Sequence, residues 1–418
     1  VSHAACPTAP AMHGGSTRRY TRVALDRRAS FWVSAGVVAH TLWTSAAPAM
    51  TYRLYASEWH LTVTTTAEFF AIYPIVVVSV LILFGGLSDR IGLRATMLLG
   101  LGASFLGALT LALAHGVPWL FVARAFMGVG VGLSAGPSTA AMVEFNEGGA
   151  PRRASVAATA AQATGFAAAL IVAGALTQYA PSPLHLVFWL LAFLIAALFS
   201  VAWFLPRPAQ SGAAGGWTPR LPSVPRSARK AFTVAAFAMT TAYTHGVMIL
   251  SLGGQIAHDL VRSPNTLVNG SILAVFAITS GVVSLLARSL PTRTAMLSGA
   301  AASGAGMGLL AVATAFHAIA LFLCATAMTG AEYSLLFLSA LELINGAIPA
   351  ARRGATLSAL YLLGYLPVGV LAPILGRIAT LHGLGVAVDL GAAVIAALSF
   401  ATLGFALGLR PSRKLDRR

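Results

Sequence analysis

Twelve apolar runs, each close to twenty residues or longer, constrain this chain more than any other feature. They fall at roughly 31–51, 64–86, 94–115, 118–142, 154–178 and 184–205, then 231–253, 266–287, 294–314, 317–341, 354–376 and 385–409. A bilayer core about 30 Å thick is crossed by about 20 residues of α-helix. Lipid offers no hydrogen bonds, so a spanning segment must satisfy its own backbone, and a helix does so. Only 9% of the 418 residues are charged and 57% are hydrophobic, where a soluble domain carries about 25% charge. The runs predict an all-α integral membrane protein with twelve transmembrane helices.

The charge sits in the connectors and is one-sided. One face receives Arg18, Arg19, Arg22, Arg27 and Arg28 of a polar tail (1–29), then Arg90, Arg94, Arg152, Arg153, Arg288, Arg293, Arg352 and Arg353. It also receives the basic linker 206–230 and the tail 410–418. The other face receives Arg53, Arg262 and, at the margin, Arg377. Arginine and lysine favour cytoplasmic loops, so both termini and the linker are expected to be cytoplasmic. The linker is rich in Pro, Gly and Ser and separates two bundles of six spans, 30–205 and 231–409. The net charge of +16 is read as topogenic, with no nucleic-acid partner expected, because it lies in short connectors and not on a folded basic face. Residues 1–29 lack the apolar core of a signal peptide and are read as a disordered tail. The two cysteines, Cys6 in the tail and Cys324 inside an apolar run, predict neither a disulfide nor a metal site.

The two halves match at an offset near 199. "LRATMLLG" (93–100) aligns with "TRTAMLSG" (292–299), so Arg94 pairs with Arg293. "VEFNEGGAPRRAS" resembles "LELINGAIPAARRGAT", so Glu144 corresponds to Glu342. Six spans per half is an even number, so the repeats share one orientation and are related by an axis along the membrane normal. That predicts a central cavity between two parallel pseudo-repeats.

The loop after the second run reads "FGGLSDRIGLR" (84–94). Gly85 and Gly92 are expected to permit a tight hairpin with unusual dihedrals. Asp89 suits the N-terminus of a helix, where free N–H groups and the dipole stabilise an anion. With the 6+6 arrangement and long linker, this loop resembles the major facilitator superfamily, whose motif runs G-x-L-x-D-[RK]-x-G-[RK]-[RK]. Gly85, Leu87, Asp89, Arg90, Gly92 and Arg94 match it; Leu93 departs. The resemblance covers about 30–410 and implies the superfamily fold. It implies that Asp89 engages the start of the eleventh span and that Arg94 or Arg90 pairs with Glu144. Such a latch joins the halves on the cytoplasmic side and favours an outward-open state. The counterpart of Asp89 in the second half is Arg288, so the latch is asymmetric. The family also has an arginine in the fourth span before a glycine-rich stretch, implicated in proton coupling or substrate contact. Arg124 with Gly128, Gly130 and Gly132 fits it. The antiporter signature of the fifth span is partial: Gly165 and Gly174 are present, and no proline follows.

Polar side chains within spans are costly and mark function by default. Arg124 lies about six residues, or about 9 Å, from one end of the fourth span. His40 and His245 lie near the middle of the first and seventh spans, which are counterparts. Each is either a proton-exchanging group or a hydrogen-bonded structural one. Glu332 is the acid nearest the midplane and suits proton transfer or cation binding, whereas Glu68 lies near a span end. Gln162, Tyr243, Tyr333, Tyr361 and Tyr365 are candidate cavity-lining donors.

The resulting expectation is a proton-coupled secondary transporter exporting drugs or small amphiphilic metabolites across a bacterial inner membrane. It is expected to act as a monomer, with the proton gradient as energy source and no cofactor. The efflux reading rests on the similarity of "SAAPAMTYRLY" to the drug-efflux branch. The alternative is proton-linked import of an organic solute, and more remotely a non-transporting sensor or scaffold. No Ser/His/Asp set, zinc spacing or phosphate loop supports an enzyme or an ATP-driven pump.

Overall fold

A computed structural model describes residues 24–146, 151–206, 224–347 and 350–408. Twelve long helices dominate it: α1 (Arg27–Ala46), α2 (Val63–Phe84), α3 (Leu93–Ala112), α4 (Val117–Glu144), α5 (Pro151–Tyr179) and α6 (Pro183–Ala202), then α7 (Arg229–Gly246), α8 (Thr266–Leu286), α9 (Thr292–Ala315), α10 (Ile319–Ala347), α11 (Ala350–His382) and α12 (Leu384–Leu407). The starts of α1, α2 and α8 carry side-chain caps written in the sequence. Asp26 accepts from the Ala29 amide at 2.6 Å, Thr62 from Thr65 at 3.2 Å and Asn265 from Val268 at 3.0 Å. Pro74, Pro137, Pro367 and Pro373 sit inside helices, which neighbouring helices in a membrane bundle tolerate.

Eleven of these helices are long and apolar enough to cross a membrane. The twelfth, α1, is diluted by arginine, serine, threonine and histidine. The run at 31–51 is not one continuous α-helix: α-geometry ends at Ala46 and a 3₁₀ turn covers Ala47–Met50. Pro48 has no N–H to offer Thr44, so the α-ladder fails there. The seventh run breaks at the counterpart point, with α7 giving way at Gly246 to a π-helical stretch, Val247–Ser251. Both lead helices thus loosen beyond their histidines.

The repeat extends to side chains. Arg94 donates to the carbonyl of Trp203 at the end of α6 and lies 5.4 Å from that ring's centre. Arg293 donates to Ala406 and Leu407 at the end of α12, both at 3.4 Å. Each guanidinium satisfies free carbonyls at a helix C-terminus, where the dipole favours a cation. Of Gly85 and Gly92, only Gly92 has a positive φ, +85. Gly85 is right-handed helical (φ −56), so its expected unusual dihedral is not found. A side chain there would instead meet the Leu81 carbonyl at 2.5 Å.

The halves meet along α2–α11 and α5–α8. On the arginine-poor face these pairs are tightly shut. Thr64 donates to Thr380 at 2.9 Å, and Gln178 accepts from the Thr266 amide at 2.7 Å. A Cβ on Gly376 would lie 2.5 Å from Ala67, and one on Gly174 would lie 2.8 Å from the Thr266 carbonyl. The space left among Met50, Arg53, Gln255 and Asn269 is about 20 Å³, roughly the room for a single water. The α5–α8 contact continues inward to Gly281, where a Cβ would lie 2.8 Å from Ala163. One or two turns further toward the arginine-rich face, Val156 and Ser284 line a cavity of about 510 Å³ with Leu335, Ser339 and Glu342. Among the described residues, the halves are shut against each other on the arginine-poor face, and the larger cavity lies toward the arginine-rich one, lined chiefly by α8 and α10 of the second half.

Arg53 and Asp259 bridge the closed face at 4.0 Å, with side chains 45% and 52% exposed. An exposed pair of this kind contributes about 0–1 kcal/mol. Asp259→Asn is therefore expected to lower the Tm of the purified chain by no more than about 2 °C, measured by thermal unfolding in detergent.

Candidate functional site

His245 faces inward from α7, and α10 brings Glu332 against it. The imidazole Nδ1 lies 3.1 Å from Glu332 Oε2 and 3.1 Å from the Thr241 carbonyl. Both side chains are fully buried. The contact is close but off the direction of a good hydrogen bond, and neither carboxyl oxygen has a well-directed partner. Nε2 lies 3.5 Å from Ser303 Oγ on α9, which is 2.6 Å from Ser399 Oγ on α12. An imidazole and a carboxyl group in contact, away from solvent, can each bind or release a proton, and the charge of one bears on the other.

His40, on the counterpart helix α1, has a different outcome. Its Nδ1 lies 3.1 Å from the Val37 carbonyl and its Nε2 2.9 Å from Ser104 Oγ on α3. Both ring nitrogens are engaged within the first half. Ser104 and Ser303 are themselves repeat partners, separated by the same offset of 199. The acid is what distinguishes the halves.

The four candidate tyrosines converge. Tyr243 packs on Tyr365 at 4.8 Å, on Tyr333 at 5.9 Å and on Phe337 at 6.2 Å between ring centres. Phe337 stacks on Tyr333 at 5.6 Å and approaches Tyr361 at 6.4 Å. Tyr243 also shares hydrogen bonds with Tyr333 and Tyr365. All four tyrosines are half-buried, whereas the His245–Glu332 pair beside Tyr333 is fully buried. Gln162, also half-buried, lies one turn from Phe166, whose ring is 5.7 Å from Phe276 on α8.

Arg124 is fully buried in α4. It lies 4.5 Å from the centre of the Tyr73 ring and 5.9 Å from that of Phe70, both on α2. The glycine-rich stretch explains the approach. Cβ atoms on Gly128 and Gly132 would collide with Val76 and Val80 of α2 at 2.8 Å, and one on Gly130 would collide with Ser104 of α3 at 2.1 Å. Three glycines draw two helices against α4 and set the α2 aromatics on the arginine.

The sequence profile of the Major Facilitator Superfamily matches residues 32–373. The chain belongs to the major facilitator superfamily. No curated protein matches it in sequence. Among solved structures it is similar to the nucleoside transporter NupG, with a TM-score of 0.73 at 14% identity, covering 91% of this chain and 100% of that one. A POT family transporter in complex with 5-aminolevulinic acid gives 0.73 at 13% identity, covering 91% and 96%. The peptide transporter POT gives 0.71 at 16% identity, covering 91% and 94%. These likenesses show the fold.

The superfamily loop motif is only partly in view. The side chain of Asp89 and those at the start of α11, 350–355, lie outside the described residues, as does the Arg288 side chain. Arg90 is exposed. Arg94 engages Trp203 within its own half. Glu144 is exposed, and its backbone carbonyl accepts from Arg27 at 2.9 Å. Four contributors escaped the sequence reading: Ser104, Ser303, Phe337 and Tyr73. The serine pair was detectable from the repeat offset. Phe337 and Tyr73 carry no local pattern that separates them from packing aromatics.

Proposed function

We propose that this superfamily member is a proton-coupled secondary transporter that exports small amphiphilic solutes by alternating access. The supporting observation is the fully buried His245–Glu332 contact behind a tyrosine-lined surface. Burying a carboxyl group and an imidazole inside a membrane bundle is costly without a use, and a proton taken up and released at the pair supplies one. Tyr243, Tyr333, Tyr361 and Tyr365 offer flat apolar faces with hydroxyls at their edges, which suits amphiphilic solutes. His40, with both nitrogens engaged, is assigned a structural role. Asp89, Arg90, Arg94 and Glu144 are assigned to the gate on the arginine-rich face; the charge bias supports a cytoplasmic side for that face, in a bacterial inner membrane. No cofactor enters this scheme, and one chain suffices for it.

Proton-linked import is the second reading. The fifth-span signature, Gly165 and Gly174 without a following proline, favours it. Proteoliposomes with an imposed pH gradient and a panel of amphiphilic and organic solutes separate the two. Export by antiport predicts solute moving against the proton flow. Solute moving with the protons supports import, and the absence of gradient-dependent flux for every solute contradicts both.

A further inference from the structure

His245 and His40 differ in what their Nε2 atoms meet, and the direction of hydroxyl protons decides it. The Ser399 hydroxyl donates to the Ile395 carbonyl at 2.7 Å. A hydroxyl has one proton to give, so at the 2.6 Å contact between Ser303 and Ser399 the donor is Ser303. The proton of Ser303 is then spent. Its lone pairs face His245 Nε2 at 3.5 Å, the outer limit of such a contact. The other nitrogen, Nδ1, faces the Thr241 carbonyl at 3.1 Å, and a carbonyl can only accept. Both ring nitrogens of His245 therefore face acceptors.

The first half is built otherwise. His40 Nδ1 faces the Val37 carbonyl at 3.1 Å, and Nε2 faces Ser104 Oγ at 2.9 Å. Among the described residues, Ser104 has no hydrogen-bond partner other than His40, so its proton is available to Nε2. A neutral imidazole offers one donor and one acceptor, and an imidazolium offers two donors. His40 sits between an acceptor and a donor, which suits the neutral ring. His245 sits between two acceptors, which suits the imidazolium. The counter-charge is at hand, because Glu332 on α10 is the ionisable group in contact with the ring. Tyr333 of α10 and Tyr365 of α11 pack on Tyr243 instead, while α9 and α12 present the two serines. Both serines are buried, which keeps bulk water from competing for their protons.

We infer that Ser303 and Ser399 are positioning residues that let His245 carry a proton on both ring nitrogens, a state that the surroundings of His40 oppose. Ser399 acts at one remove, by turning the Ser303 hydroxyl. In Ser399→Ala that hydroxyl is free to donate to Nε2, which gives His245 the surroundings of His40. The inference deepens the proton-coupling reading and rests on it for its consequence in transport.

The test is nitrogen NMR of the full chain in lipid nanodiscs, with isotope-labelled histidine, titrated over pH. The two rings are identified by the signals lost in His245→Gln and His40→Gln. Acidification should protonate both nitrogens of His245 and leave His40 with one proton. In Ser399→Ala the proton affinity of His245 should fall about tenfold, a shift of about one pH unit. Ser303→Ala, which removes the acceptor outright, should shift it the same way. An unshifted midpoint in Ser399→Ala overturns the inference, and so does a wild-type His245 that never gains its second ring proton. The Ser399→Ala shift decides the matter even where His40→Gln does not fold. Accumulation by the same variant in proteoliposomes separates this from the coupling reading. A shifted midpoint with accumulation unchanged supports the positioning role and defeats the coupling role of the pair.

Discussion

Glu332→Gln is expected to abolish gradient-driven accumulation while leaving solute exchange intact. Glutamine keeps the shape of the side chain and its ability to hydrogen-bond, but it cannot bind or release a proton. Exchange of labelled for unlabelled solute needs only the loaded carrier to reorient, and that path does not use the His245–Glu332 proton. Accumulation does. A pH difference of one unit is worth about 1.4 kcal/mol per proton, or tenfold in solute ratio. In Glu332→Gln that ratio should fall to about one. His245→Ala is a poorer probe, because it strands a buried carboxyl group and removing one partner of a buried pair costs about 3–5 kcal/mol. Counterflow and accumulation measured on the same vesicles check the prediction. Accumulation persisting at the wild-type ratio removes Glu332 from the coupling role.

Gly376→Leu should force the closed face apart. A Cβ on Gly376 would lie 2.5 Å from Ala67 Cβ, 2.9 Å from the Val63 carbonyl and 3.1 Å from Thr64 Cα. Two of those contacts are backbone, so no rotamer change relieves them; α2 and α11 must separate. Overpacking of this kind costs about 1–3 kcal/mol, which shifts a two-state equilibrium by about 5–150-fold. The clash exists only where the face is shut, so the open alternative gains. Ser251, 3% exposed beside the 20 Å³ space, offers a reporter. In a background with Cys6 and Cys324 replaced by serine, Ser251→Cys should react slowly with a membrane-impermeant maleimide from the arginine-poor side. Adding Gly376→Leu should accelerate it severalfold or more. Gly304→Leu is the control, because a Cβ there meets nothing within 4 Å. Equal labelling in all three backgrounds contradicts the closed-face assignment.

The architecture was legible because lipid imposes a length and a backbone rule, and both are written in apolar runs. The repeat was legible for the same reason that Arg94 and Arg293 cap the ends of α6 and α12: one structural problem is solved twice. The breaks at Ala46 and Gly246 were less visible. Only Pro48 announces the first, and nothing local announces the π-helical turn after the second. Within the candidate site, His40 and His245 looked equivalent on sequence. What separates them is a contact from α10, more than eighty residues away, and a span gives no sign of which way its polar residue faces. Arg124 stood out by its cost. Its aromatic surroundings did not, because Phe70 and Tyr73 meet it only through tertiary packing.

The central claim is that one proton held by His245 and Glu332 is exchanged for solute, and proton movement tests it most directly. Proteoliposomes loaded with a pH-sensitive dye, given a transported solute and no imposed gradient, should show a lumenal pH change that tracks solute flux. That change should vanish in Glu332→Gln while exchange continues. Solute flux with no pH change in the wild type, or the same pH change in Glu332→Gln, would contradict the claim.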